Sequence, residues 1–88
     1  MEDMPEWIKI FEPQTKEELL ALDLAHALDD LPNLACYISL TKKYPEYLIR
    51  RTLAVVIAVP QNKIRKSRGA LFNFLIRRNQ KYGSNQAG

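Results

Sequence analysis

The chain of 88 residues holds one thiol, Cys36, and one imidazole, His26. A thiol–imidazole nucleophile needs the two side chains within hydrogen-bond reach. Here Cys36 falls in a short helix that starts near Pro32, and His26 falls on the polar side of the helix before it. Cys36 therefore reads as a small buried apolar residue, and His26 as a solvated surface histidine. Asp23, His26 and Asp30 share one helix face, which suits weak adventitious binding of a divalent ion, but their spacing matches no recognised ligand set. A single cysteine leaves no disulfide framework and no multi-cysteine zinc site. No GxGxxG, P-loop or GxSxG run occurs. The expectation is a non-enzymatic protein with no catalytic residue, no metal site and no cofactor.

The chemistry that the sequence does carry is cationic. Lys63, Arg65, Lys66 and Arg68 fall within six residues. The formal net charge of +3 conceals an asymmetry: residues 1–41 hold nine acids and two bases, whereas residues 42–88 hold eleven bases and one acid, Glu46. Such a basic half attracts phosphates in a salt-dependent manner. The leading expectation is thus an accessory or regulatory module that binds nucleic acid, DNA ahead of RNA. Phosphate contacts are assigned to Lys63, Lys66, Arg77, Arg78 and Lys81, and base or groove contacts to Gln61, Asn62 and Arg65. The alternative is a protein-interaction or assembly domain, in which the acidic face of one molecule meets the basic face of another copy, or the basic face meets a separate acidic partner.

Residues 50–68 carry a further pattern. Leu53-Ala54 places a small residue within one helix, Ile57 and Val59 are apolar around a turn, and Ile64 is apolar inside the second helix. Val59-Pro60-Gln61-Asn62-Lys63-Ile64-Arg65 resembles the turn and the start of the recognition helix in helix-turn-helix DNA-binding proteins. The resemblance covers about a fifth of the chain and implies that Gln61, Asn62, Arg65 and Lys66 face the major groove, where Arg pairs with guanine and Asn or Gln with adenine. Ala58 stands where the pattern often has Gly, and Ser67 stands at a late apolar position.

The elements that must position these residues are helical. Thr15 with Glu18 three residues on forms a capping box ahead of an apolar run, and Leu20, Leu24, Ala27, Leu28 and Leu31 gather on one side of a helix over 15–30. A second helix over 32–43 starts at Pro32, where the missing N–H costs little, and ends with Lys42 and Lys43 against its dipole. The run 53–59 is rich in β-branched residues and fits either a strand or a helix. The stripe Leu48, Thr52, Val55, Val56 and Val59 favours a helix over 45–58, the most buried of the set. A fourth helix over 61–82 aligns Ile64, Leu71, Leu75 and Tyr82, with Phe72 and Phe74 beside them, and sets Lys63, Lys66, Asn73, Arg77 and Lys81 opposite. Its apolar side, taken alone, suits a partner groove or an anionic membrane, but a domain this small needs it as core. Arg68 and Arg78 point toward that apolar side. A buried guanidinium without a partner is costly, so either one of them pairs with an acid of the helix over 15–30, or the helix breaks near Gly69, with Ser67 capping a second segment, and frees Arg68.

The expected class is all-α: a small compact bundle of about four helices around Leu20, Leu24, Leu28, Ile38, Leu48, Val55, Val56, Leu71 and Leu75. Residues 1–14 form an arm whose Trp7 and Phe11 dock on the bundle or hook a partner, too short for a stable helix of its own. Residues 15–83 form one helical domain, and 84–88 a disordered tail. At 47% apolar and 26% charged the composition is that of an ordinary globular chain. No apolar run approaches the roughly 18 residues of a membrane span, and Met1-Glu2-Asp3-Met4-Pro5 lacks a signal core, so no membrane and a cytoplasmic location are expected. A small stability margin leaves room for a homodimer through Trp7, Phe11 or Phe74.

Overall fold

Helices account for all the regular structure in a computed structural model that describes the backbone of residues 4–87 and the side chains of residues 4–78. Among the described residues there are five α-helices and no strand: α1 (Glu6–Lys9), α2 (Lys16–Ala27), α3 (Leu34–Lys43), α4 (Glu46–Ala58) and α5 (Arg68–Ala87), with 3₁₀ turns at Leu31–Asn33 and Gln61–Lys63. The β-branched run 53–59 is helical through Ala58, and the protein is all-α. The chain divides into two compact units, Met1–Lys43 and Tyr44–Gly88. That boundary lies two residues from the switch in charge. The first unit holds nine acids against four bases, and the second nine bases against one acid.

In the first unit the arm is not featureless. One helical turn, α1, forms behind Pro5, whose carbonyl accepts from Ile8 N at 3.1 Å. A single turn does not survive alone; burial of Ile8 holds this one, while Trp7 and Phe11 meet edge to face with ring centroids 6.0 Å apart. α2 starts as its sequence dictates. Thr15 Oγ1 accepts from Glu18 N at 3.1 Å, and Glu18 Oε1 accepts in return from Gln14 N at 2.7 Å, one residue outside the usual capping box. Leu20, Ala21, Leu24 and Ala25 are buried, and α2 packs on α3. α2 stops at Ala27 rather than at residue 30. Asp29 takes a left-handed φ of 53°, with Asp29 N donating to the His26 carbonyl at 3.0 Å and Asp30 N to the Ala25 carbonyl at 2.8 Å. This is the paired closure of a Schellman motif, and it needs a small residue that tolerates the left-handed region, which Asp does. α3 buries Leu34, Tyr37, Leu40 and Thr41. Ile38, expected in the core, is only half-buried.

In the second unit α4 packs on α5. α4 buries Ile49, Thr52 and Val56, and the Thr52 hydroxyl is satisfied by donating to the Leu48 carbonyl at 2.8 Å. The expected stripe is therefore shifted: Leu48 is half-buried, Val55 is 49% exposed, and α3, with Leu34, Tyr37, Leu40 and Thr41 buried, is more buried than α4. The expected helix over 61–82 is broken. Residues 64–67 are not helical, and α5 begins at Arg68 and buries Gly69, Phe72 and Ile76, leaving Leu71 and Leu75 half-buried. A register counted from Ile64 cannot survive that break. α5 also runs past Gly83, the expected stop, to Ala87; a glycine lowers helix propensity by about 1 kcal/mol without forbidding a helix. The side chain of Tyr82 and residue 88 of the expected tail lie outside the described residues.

Candidate nucleic-acid interface

The segment between α4 and α5 is shaped by Pro60. Proline disfavours helical backbone in the residue before it, and Val59 is accordingly extended, with φ −73° and ψ 128°. One 3₁₀ turn comes next, closed by Lys63 N donating to the Pro60 carbonyl at 2.9 Å. Ile64 returns to extended backbone. α5 then starts on Ser67, whose Oγ accepts from Ala70 N at 3.1 Å while its carbonyl accepts from Leu71 N at the same distance. The expected Ser67 cap is present. The helix-turn-helix resemblance puts the start of a second helix at Gln61, whereas here the α-helix resumes at Arg68.

Arg68 ties this segment to α4. Its Nη1 donates to the Val56 carbonyl at 2.7 Å and to the Val59 carbonyl at 3.1 Å. The last carbonyls of a helix sit at the negative end of its dipole, so the guanidinium adds a charged donor to the Val56 carbonyl, which also accepts from Val59 N at 3.2 Å, and supplies one to the Val59 carbonyl. The helix does break beside Arg68, yet the cation is not freed to solvent: it is half-buried on main-chain oxygens rather than on an acid of α2.

The neighbouring cations are placed differently. Lys63, Arg65 and Lys66 are exposed, and among the described residues no hydrogen bond or ion pair engages their side chains. Glu46, the one acid of this unit, accepts from Arg50 Nε at 2.6 Å within α4. The three cations line an open groove of about 650 Å³. Its apolar side consists of Ile64, Ala70, Leu71 and Phe74, and Ser67 completes it. Phe74 is 59% exposed. The sequence groups it with the core side of the helix, yet it lies two residues from the buried Phe72. At 100° per residue that is more than half a turn, so the two rings cannot both face the core. That spacing is the sequence signal that marks Phe74 as a surface residue.

The remaining predicted contacts are dispersed. Gln61 and Asn62 are exposed on the 3₁₀ turn but do not line the groove. Arg77 and Arg78 are exposed on α5, also outside the groove lining, and the exposure of Arg78 corrects its expected place on the apolar side. The side chain of Lys81 lies outside the described residues.

The residues considered for enzymatic or metal chemistry have other surroundings. His26 is exposed, and Cys36 is half-buried rather than buried. Asp30 leaves the face it was expected to share with Asp23 and His26, because α2 has ended. Its carboxylate accepts from Asn33 Nδ2 at 3.0 Å and from the Tyr37 hydroxyl at 2.6 Å. Burial, and after it the hydrogen bond and charge of Asp30, hold the Tyr37 phenol well above the ordinary tyrosine range. Among the described residues no three His, Cys, Asp or Glu side chains come together as metal ligands, and no helix is long and apolar enough to cross a membrane. No protein-family model matches the chain, and comparison with curated proteins and with solved structures yields no similar protein.

Proposed function

We propose that this protein is a non-enzymatic, cytoplasmic module that binds nucleic acid through the segment joining α4 to α5. The observation that carries this reading is the state of Lys63, Arg65 and Lys66: exposed, adjacent, and without a partner among the described residues, in a unit whose one acid is already engaged by Arg50. Unneutralised cations grouped in this way are what phosphate oxygens recognise. Gln61 and Asn62, exposed on the same segment, supply groups for base edges, and Arg77 and Arg78 add charge on α5. Titration of a fluorescently labelled oligonucleotide at two salt concentrations tests the proposal. Binding that weakens as salt rises supports it, and no binding at low salt, where electrostatic attraction is strongest, overturns it.

The coincidence of the charge switch with the boundary between the two compact units favours a second reading, an assembly domain whose acidic unit meets the basic unit of another copy. Sedimentation separates the two. Self-association that weakens with salt and is indifferent to oligonucleotide belongs to the assembly reading.

A further inference from the structure

We infer that the groove beside α5 binds single-stranded nucleic acid, with a base stacked on Phe74 and the flanking phosphates on Lys63, Arg65 and Lys66. The inference rests on the nucleic-acid reading above and narrows it to one class of ligand. Phosphate attraction alone calls for cations on any convex surface. What this segment has in addition is a concave apolar floor, formed by Ile64, Ala70 and Leu71 and closed by a phenyl ring that is 59% exposed. A ring left in water beside unpaired cations matches a ligand that is flat and apolar on one part and anionic on the next. A nucleotide of a single strand has that alternation, because its base face is free and its phosphate lies one sugar away. Stacking of bases on aromatic side chains within a positively charged groove is the general means of holding such strands. A duplex hides its base faces in the stack and would leave the floor and Phe74 unused. The backbone supports the same choice: reading a major groove takes an α-helix or a β-ribbon, whereas Gln61–Lys63 is one 3₁₀ turn and residues 64–67 are irregular.

The test removes the ring and the base separately and together. Fluorescence anisotropy is read with the full chain and labelled oligothymidylate of about eight nucleotides, within the range of small single-strand sites. The same length of abasic strand, of oligouridylate and of duplex DNA are the comparison ligands. The wild-type chain is expected to prefer oligothymidylate over the abasic strand by roughly 10-fold, the order of one base–aromatic stack. Phe74→Ala is expected to lose that preference and bind both strands alike, Phe74→Leu to do the same while keeping apolar bulk, and Phe74→Trp to retain it. Unchanged helicity by circular dichroism accompanies each, since Phe74 is exposed. Three phosphate contacts predict a slope of about −2 in a plot of log affinity against log salt. Tighter binding of oligouridylate than oligothymidylate names RNA as the source of the strand, and the reverse names DNA. Equal binding of the abasic strand by wild type, an unaltered affinity in Phe74→Ala, or tighter binding of the duplex overturns the inference and leaves the nucleic-acid reading standing. Polyglutamate bound as tightly as oligothymidylate also overturns it, because charge alone then suffices. No binding of any oligonucleotide at low salt overturns both.

Discussion

Tyr37 shows how a polar side chain can be both core and device. Its ring is fully buried on α3, and its hydroxyl spans seven residues back to donate to the Asp30 carboxylate at 2.6 Å. Asp30 is the N-cap residue of the 3₁₀ turn that follows α2, so this short hydrogen bond joins α3 to the connection that the Schellman closure and Asn33 also hold. The phenol is held above its ordinary value by burial first and by Asp30 second. A raised phenol means that the unfolded chain loses its proton first. The stability from this group is therefore complete below about pH 10, the ordinary tyrosine value, and declines as pH rises above it. Tyr37→Phe keeps the ring and removes the donor. It is expected to lower stability at pH 7 by about 1–2 kcal/mol, the cost of a carboxylate losing a hydrogen bond in a partly buried place. It is also expected to flatten the alkaline fall of the urea midpoint between neutral pH and pH values above about 10. A variant whose alkaline fall matches the wild type would show that other groups set it.

At the scale of elements, the segment between α4 and α5 is tied to the end of α4 by Arg68. Its guanidinium bridges the Val56 and Val59 carbonyls, so the end of one helix is capped by the first residue of the next. Arg68→Ala is expected to cost about 1–2 kcal/mol, from a charge-assisted hydrogen bond and the helix-end dipole in a half-buried setting. Arg68→Lys should recover only part of that, because an ammonium keeps the charge but not the planar fork. Chemical denaturation reads both, and equal loss in the two variants would assign the effect to geometry alone. This element also marks where sequence patterns stop being informative. Thr15 and Ser67 were legible as caps because a capping side chain reaches only three residues. The helical class of 53–59 was legible because its stripe has period 3.6 and a lone strand would lack a pairing partner. The break at 64–67 was legible only as an option near Gly69, because the bond that stabilises it joins residues twelve apart. Once the break is missed, the register counted from Ile64 picks Leu71 and Leu75 where the unit buries Phe72 and Ile76. In the candidate site the cations were legible as a cluster, but their neighbour Phe74 was not. Its exposure follows from its angle to Phe72, and the groove it closes depends on the irregular turn.

For the molecule as a whole, net charge and charge placement make different predictions. The formal total is only +3, too small to account for strong attraction to polyanions by itself, while the unit Tyr44–Gly88 carries nine bases against one acid. At physiological salt the screening length is about 8 Å, so a bound phosphate senses the cations near it and little of the rest. Two double variants separate the possibilities. Lys63→Glu with Lys66→Glu, in the groove lining, and Lys9→Glu with Lys16→Glu, on exposed positions of the first unit, each reverse two lysines and so impose the same change in net charge. If placement governs binding, the first pair abolishes oligonucleotide binding at about 0.15 M salt and the second changes it by less than about 3-fold, because only the first removes cations that line the groove. Equal loss in both variants at 0.15 M would mean that total charge sets the affinity, and the basic segment would then have no standing as a site.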